Sequence, residues 1–211
     1  MARQTLLRIL FSSLLLLITV EVAASTSDRQ RYRQAREALR LGDFDRYQQL
    51  RQQLDAYPLA IYLDYYRLFE SGKLANVNEA QAFISRVEKT PLARRARGKM
   101  LERLARNEAW RDYLLIAGQE PVSEGLRCSY FRAKLATGER QQAWQGAEKL
   151  WLSAKPIDSA CDPLFDAWAA QGGRTQDQIW ARLLLADDAK ETGLARNLSR
   201  KLTGSHGSDA S

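Results

Sequence analysis

Four large apolar residues recur at a nearly constant interval: Phe44, Val77, Trp110 and Trp144 lie 33, 33 and 34 residues apart. Each follows a turn-forming stretch ("GDFD", "ANVN", "NEAW", "GERQQAW") and stands near the start of a run with helical apolar spacing. That interval constrains the chain to a succession of similar helical pairs, because one pair cannot cover its own apolar face and must stack on its neighbours. No alternation of apolar and polar residues, the mark of a half-buried strand, interrupts the pattern. The punctuation is helical as well. Gly42 supplies a stop and Asp43 an N-cap, Pro58 and Pro91 stand where a first turn accepts proline, and Asp162 with Pro163 reads as a cap followed by proline at the first helical position. The expected helices cover 28–41, 43–56, 58–71, 78–89, 91–106, 108–117, 123–137, 139–153, 162–171, 175–191 and 193–202.

The interval is close to that of the tetratricopeptide repeat, although the consensus of that repeat is not matched. The expected fold is all-α, a right-handed, tetratricopeptide-like superhelix of stacked helical hairpins forming one scaffold domain over 25–202. The ends read differently. Arg3 and Arg8 precede the apolar run "ILFSSLLLLITV", and Val22 and Ala24 are small residues before a cleavage point, so 1–24 reads as a secretory signal peptide. The run is about 12 residues long, short of the roughly 20 that span a bilayer, so no stable membrane span is expected after cleavage. The tail "TGSHGSDAS", 203–211, holds no apolar residue larger than alanine and is expected to be disordered.

Export would place the chain in the periplasm or another oxidising compartment. There Cys128 and Cys161, 33 residues apart, read as a structural disulfide, with a free-thiol pair as the alternative. Removing the signal removes two arginines and a glutamate, leaving 30 basic against 24 acidic residues. The excess favours an anionic partner such as cell-wall polymer, lipid or acidic protein, and export disfavours nucleic acid.

Little of the chain suggests catalysis. The single histidine, His206, lies in the tail, which excludes a histidine-paired nucleophile and a histidine-based metal site. Asp187 and Asp188 are adjacent on a helix and diverge by about 100°, so they do not face each other as a glycosidase pair would. No cofactor motif is present. Aromatics are placed at helical spacing: Ala143, Trp144, Ala147, Leu150 and Trp151 form one stripe, Cys128, Phe131 and Leu135 a second, and Leu164, Phe165 and Trp168 a third. They read as one packed cluster beside the cysteines, against the alternative of a sugar-stacking platform. In "YPLAIYLDYYRLFE", Tyr62, Tyr65 and Phe69 likewise read as a helix interface, with Tyr57 and Tyr66 in the same run. The strongest charge feature is "RRARGKMLERLAR", in which Arg94, Arg95, Arg97, Lys99, Arg103 and Arg106 meet one acid, Glu102. With Leu92, Ala96, Met100 and Leu104 buried, these cations cover the outer and flanking surfaces, as a solvated face or as the face for an anionic partner.

The segments "YPLAIYLDYYRL", "LARNEAWRDYL", "CSYFRAKLATGERQQAWQGAEKLW" and "SACDPLFDAW" resemble the N-terminal, U-shaped superhelical region of the soluble lytic murein transglycosylases, from about Asp28 to Leu202. The resemblance implies a disulfide between Cys128 and Cys161 and covers about the first third of such a protein. In that family a C-terminal lysozyme-like domain carries a catalytic glutamate in a Glu-Ser motif, followed by Gly-Leu-Met-Gln, and cleaves murein to 1,6-anhydro ends. Glu70-Ser71 is followed here by "GKLANV" and by no Gly-Leu-Met-Gln, so no catalytic residue carries over. The resemblance therefore implies the scaffold portion of a periplasmic lytic transglycosylase, truncated or split from its catalytic domain and inactive alone. The rival is a stand-alone periplasmic adaptor that binds peptidoglycan or a cell-wall enzyme through its basic face. For the last helix, Leu194, Leu198 and Leu202 are expected to form an exposed apolar side that favours self-association.

Overall fold

The computed structural model describes residues 26–71 and 75–203, all helix, turn and loop; the expected signal peptide and nearly all of the tail, with His206, lie outside the described residues. Among the described residues eleven α-helices follow one another: α1 (26–41), α2 (Phe44–Gln52), α3 (Ala60–Phe69), α4 (Val77–Arg86), α5 (Pro91–Arg106), α6 (Trp110–Ala117), α7 (Glu124–Ala136), α8 (Arg140–Trp151), α9 (Asp162–Ala170), α10 (Gln176–Asp188) and α11 (Thr192–Ser199). Phe44, Val77 and Trp110 are the first residues of α2, α4 and α6, while Trp144 falls one turn inside α8. The sequence interval is thus the spacing of the second helix of each hairpin.

One turn joins four of these hairpins. Gly42, Glu108, Gly138 and Lys190 each take positive φ (75°, 52°, 94° and 62°). The next residue in each case, Asp43, Ala109, Glu139 or Glu191, donates its N–H to the carbonyl five residues back, at 2.9, 3.0, 2.8 and 2.9 Å. This is the Schellman closure, in which a left-handed residue lets the last turn satisfy its own carbonyls. The same residue that closes one helix caps the next, so a hairpin forms with two residues between α1 and α2 and three between the helices of each of the other three pairs. At the first of these turns the Asp43 carboxylate also accepts from the Arg46 N–H at 3.0 Å, as expected of a cap.

Some boundaries differ from the sequence reading. α2 stops at Gln52 and 53–56 form turns, because Pro58 disfavours helical backbone at the preceding Tyr57. Pro58 itself precedes α3, whose N-cap is Leu59. Asp162 is not a cap but the first residue of α9, entered through a 3₁₀ turn, Ser159–Cys161; the capping carboxylate is that of Asp158, which accepts from the Ala160 N–H.

The structure divides at Val87 into two compact units. The first buries Ala35, Ala38, Leu39, Tyr47, Leu50, Leu54, Ala60 and Leu63, and stacks Tyr65, Phe69 and Phe83 with ring centroids 5.4–6.3 Å apart. On its surface Asp64 gathers Arg51 at 2.8 Å, Arg86 at 2.9 Å and the Tyr47 hydroxyl at 3.3 Å.

The second unit centres on the disulfide between Cys128 and Cys161, both fully buried. Around it pack Phe131, Leu150, Trp151, Leu164, Phe165, Trp168, Ile179, Leu183, Leu198 and Leu202. The expected exposed side of α11 is therefore closed: Leu198 and Leu202 are buried and Leu194 packs half-buried on the same cluster. The i, i+4 stripe of α11 is turned onto its own hairpin partner and the disulfide core, which already provides the cover expected of a further unit. The long connection from α8 to α9 is held from several sides. Arg182, 5% exposed, donates to the Ser153 and Lys155 carbonyls at 3.3 and 3.4 Å, and Glu124 accepts from the Asp158 N–H at 2.7 Å.

Candidate functional site

Three features could carry function: the aromatic cluster, the basic helix α5 and the tyrosine run of α3. The aromatic cluster is packing. Trp151 is 4% exposed, meets Phe165 edge-on at 5.3 Å, and donates its indole N–H to the Gln178 carbonyl at 3.0 Å. The Arg174 and Arg182 guanidiniums lie 5.3 and 4.4 Å from its ring centre. No face of Trp151 is open for a sugar, and Trp168 is buried with it. Gly146 sets how closely α7 and α8 approach: a Cβ there would fall 2.3 Å from the Phe131 ring.

α5 separates its six cations instead of presenting them together. At about 100° per residue, Arg95, Lys99 and Arg106 share one exposed stripe, with Glu102 in it. Arg94 is exposed on a different edge. Arg97 turns toward the buried side, where its Nε is shielded from solvent without a partner among the described residues. Arg103 is half-buried and lies 2.7 Å from the Met100 sulfur; burial first, then the nearby Arg106, lowers its pKa. Arg97 and Arg103 are thus partly buried and lie off the exposed stripe, whereas the six were expected to cover the outer and flanking surfaces. The reason is that Leu92, Ala93, Ala96, Met100, Leu101 and Leu104 bury more than half of the helix circumference. Among the described residues Arg95, Lys99 and Arg106 form no ion pair, whereas Arg127, Arg132 and Lys134 of the same unit are paired with Glu120, Glu108 and Glu139. Among the described residues the stripe is therefore a net cationic surface, with Glu102 its one acid.

The tyrosine run divides in two. Tyr65 and Phe69 enter the core, but Tyr62 is 40% exposed and does not belong to the helix interface expected of it. The cause is angular: Tyr62, Tyr66 and Glu70 are spaced i, i+4, i+8 and share the open side of α3, while Tyr65 and Phe69 point inward. Facing that side, α1 contributes Tyr32, Arg33, Arg36 and Arg40, which with Tyr66 and Glu70, but not Tyr62, line a cleft of about 470 Å³. The Arg36 guanidinium lies 4.3 Å from the Tyr66 ring centre. Burial, then the neighbouring Tyr66, raises the Tyr32 hydroxyl pKa. The α1 cations escaped the sequence reading although "RQRYRQAREALR" holds five arginines against one acid; their further signal was the i, i+3 spacing of Arg33 and Arg36.

Glu70 is exposed at the end of α3, and the Ser71 hydroxyl donates to the Arg67 carbonyl as a helix-end bond. Asp187 and Asp188 are both exposed. Among the described residues no group of three acidic, histidine or cysteine side chains could hold a metal ion, and no helix is long and apolar enough to cross a membrane.

This fold is that of lytic transglycosylases. The crystal structure of the 70-kDa soluble enzyme from Escherichia coli superposes with a TM-score of 0.77 at 32% identity, over 87% of this chain and 30% of that one. The lytic transglycosylase Slt of Pseudomonas aeruginosa gives 0.71 at 29% identity, over 85% and 29%. More particularly, the chain is homologous to the soluble lytic murein transglycosylases. It is 32% identical to that of Escherichia coli K12 over 204 residues, 95% of this chain and 32% of the relative. It is also 32% identical to that of Salmonella typhimurium over 198 residues, 92% and 31%. The chain spans about a third of the length of these curated relatives. No family model matches it.

Proposed function

We propose that this chain is the N-terminal scaffold portion of a periplasmic soluble lytic murein transglycosylase, and that it serves the cleavage of peptidoglycan glycan strands by holding murein rather than cutting it. The observation that carries the reading is the combination of 32% identity and a TM-score of 0.77 over 87% of the chain. The same enzyme has also been crystallised in complex with bulgecin A. Glu70, of the Glu70-Ser71 pair, is an exposed residue at the end of α3. Periplasmic location follows from the signal peptide read over 1–24.

In this reading the unpaired stripe Arg95, Lys99 and Arg106 supplies a surface for carboxylate-bearing murein or for an acidic face of a cell-wall enzyme. Co-sedimentation with purified sacculi tests it. The wild-type chain is expected to sediment with sacculi and to be released as salt is raised, because exposed charges are screened over about 10 Å at 0.1 M. R95Q/K99Q/R106Q is expected to be retained several-fold less; equal retention would remove the stripe from the binding surface.

A further inference from the structure

The cleft between α1 and α3 has the composition of a ligand site. Its volume, about 470 Å³, falls within the roughly 300–1,000 Å³ of small-ligand pockets. Aromatic groups and guanidiniums line it together: Tyr32 and Tyr66 on its walls, Arg33, Arg36 and Arg40 along one edge, and Glu70 at the other. Of the three arginines, Arg40 is engaged by Glu37 through two hydrogen bonds. Arg33 and Arg36 are one helical turn apart, exposed, and in no ion pair among the described residues. Elsewhere in the same unit Asp64 collects Arg51 and Arg86, and Glu79 pairs with Arg67 at 3.6 Å. Stacking on Tyr66 restricts Arg36 beside the opening while leaving its donors available.

We infer that this cleft binds a carboxylate-bearing muropeptide, with Arg33 and Arg36 receiving the carboxylate and the open tyrosine side of α3 receiving the sugar. The inference rests on the murein reading above and names the chemical class and the place of contact. A guanidinium pair matches a carboxylate because each fork offers two parallel N–H donors, and Arg is more weakly hydrated than Lys. A sugar ring finds apolar area on Tyr66, which lines the cleft, and Tyr62 lies one turn away on the same side of α3, outside the lining. Glu70 is the one lining acid not engaged by a cation among the described residues, and its charge opposes an incoming carboxylate.

Calorimetric titration of the full chain with a soluble disaccharide muropeptide tests the inference, in parallel with the same muropeptide after its carboxylates are amidated. Wild type is expected to bind the free-carboxylate form at least ten-fold more tightly than the amidated form. R33Q/R36Q is expected to lose at least ten-fold toward the first and little toward the second. E70Q is expected to bind the free-carboxylate form several-fold more tightly than wild type, a gain that a misfolded variant cannot mimic. Equal affinity for both muropeptides, unchanged binding by R33Q/R36Q, or unchanged or weakened binding by E70Q would each overturn it. Absence of muropeptide binding while sacculi still retain the chain through the α5 stripe would overturn this cleft alone; loss of both would overturn the murein reading itself.

Discussion

Glu108 and Lys190 hold a backbone conformation for which glycine is the natural choice, at φ 52° and 62°, in the same hairpin turn that uses Gly42 and Gly138. A side chain in the left-handed region costs roughly 1–2 kcal/mol locally, part of which a glycine gives back through greater unfolded-state entropy. Lys190→Gly, whose side chain is exposed, is therefore expected to stabilise the chain by up to about 1 kcal/mol, measured by urea unfolding. Gly146→Ala is expected to do the opposite, by about 1–3 kcal/mol, since its methyl would meet the Phe131 ring. Burial, and then the neighbouring Asp64 carboxylate, pushes the Tyr47 hydroxyl up to about 12. The folded chain thus keeps a proton that the unfolded chain releases near pH ~10. This contribution is complete below about pH 10 and is lost as pH rises through about 12. Burial also raises Tyr113. Unfolding free energy is expected to fall on the alkaline side, and less steeply in Y47F and Y113F; equal slopes in all three chains would contradict the assignment. At this scale the sequence was informative wherever a side chain had one plausible environment, as for Trp151. It misled at Tyr62, where i, i+3 spacing to Tyr65 is compatible with both the buried and the open side of a helix whose core arc is wide.

The elements owe their order to turn chemistry more than to helix propensity. Gly42 with Asp43 was legible because both residues have strong positional preferences, whereas the same closure at Glu108 and Lys190 has no sequence signature. The expected range 162–171 begins where α9 does, but Asp162 was read as its cap because Asp and Pro are common at both a cap and a first turn; the 3₁₀ entry through Ser159–Cys161 lies at the disulfide. That disulfide closes a separation of 33 residues, for which loop entropy gives about 3–4 kcal/mol. Cys128→Ser/Cys161→Ser is expected to lower Tm by several degrees, and reductant to lower the wild-type Tm while leaving the double variant unchanged. Helical circular dichroism at low temperature is expected to persist in both, because Phe131, Leu164 and Trp168 still surround the site.

For the whole molecule, the interval of 33 residues in the sequence carried the fold class, since it is the distance between equivalent helices of successive hairpins. The interval could not reveal the α1–α3 cleft, because that site joins residues from two helices whose chemistry looks ordinary in each alone. Nor could it show that α11 is covered by its own unit, which requires knowing on which side of α10 the stripe of Leu198 and Leu202 lands. The function proposed for this chain is to hold murein without cleaving it. The most direct test incubates the purified chain with sacculi and chromatographs the soluble fraction for 1,6-anhydro-muropeptides while the pellet is assayed for bound protein. Protein in the pellet and no anhydro product above a buffer control are expected; anhydro-muropeptides accumulating with time and protein concentration would overturn the proposed function.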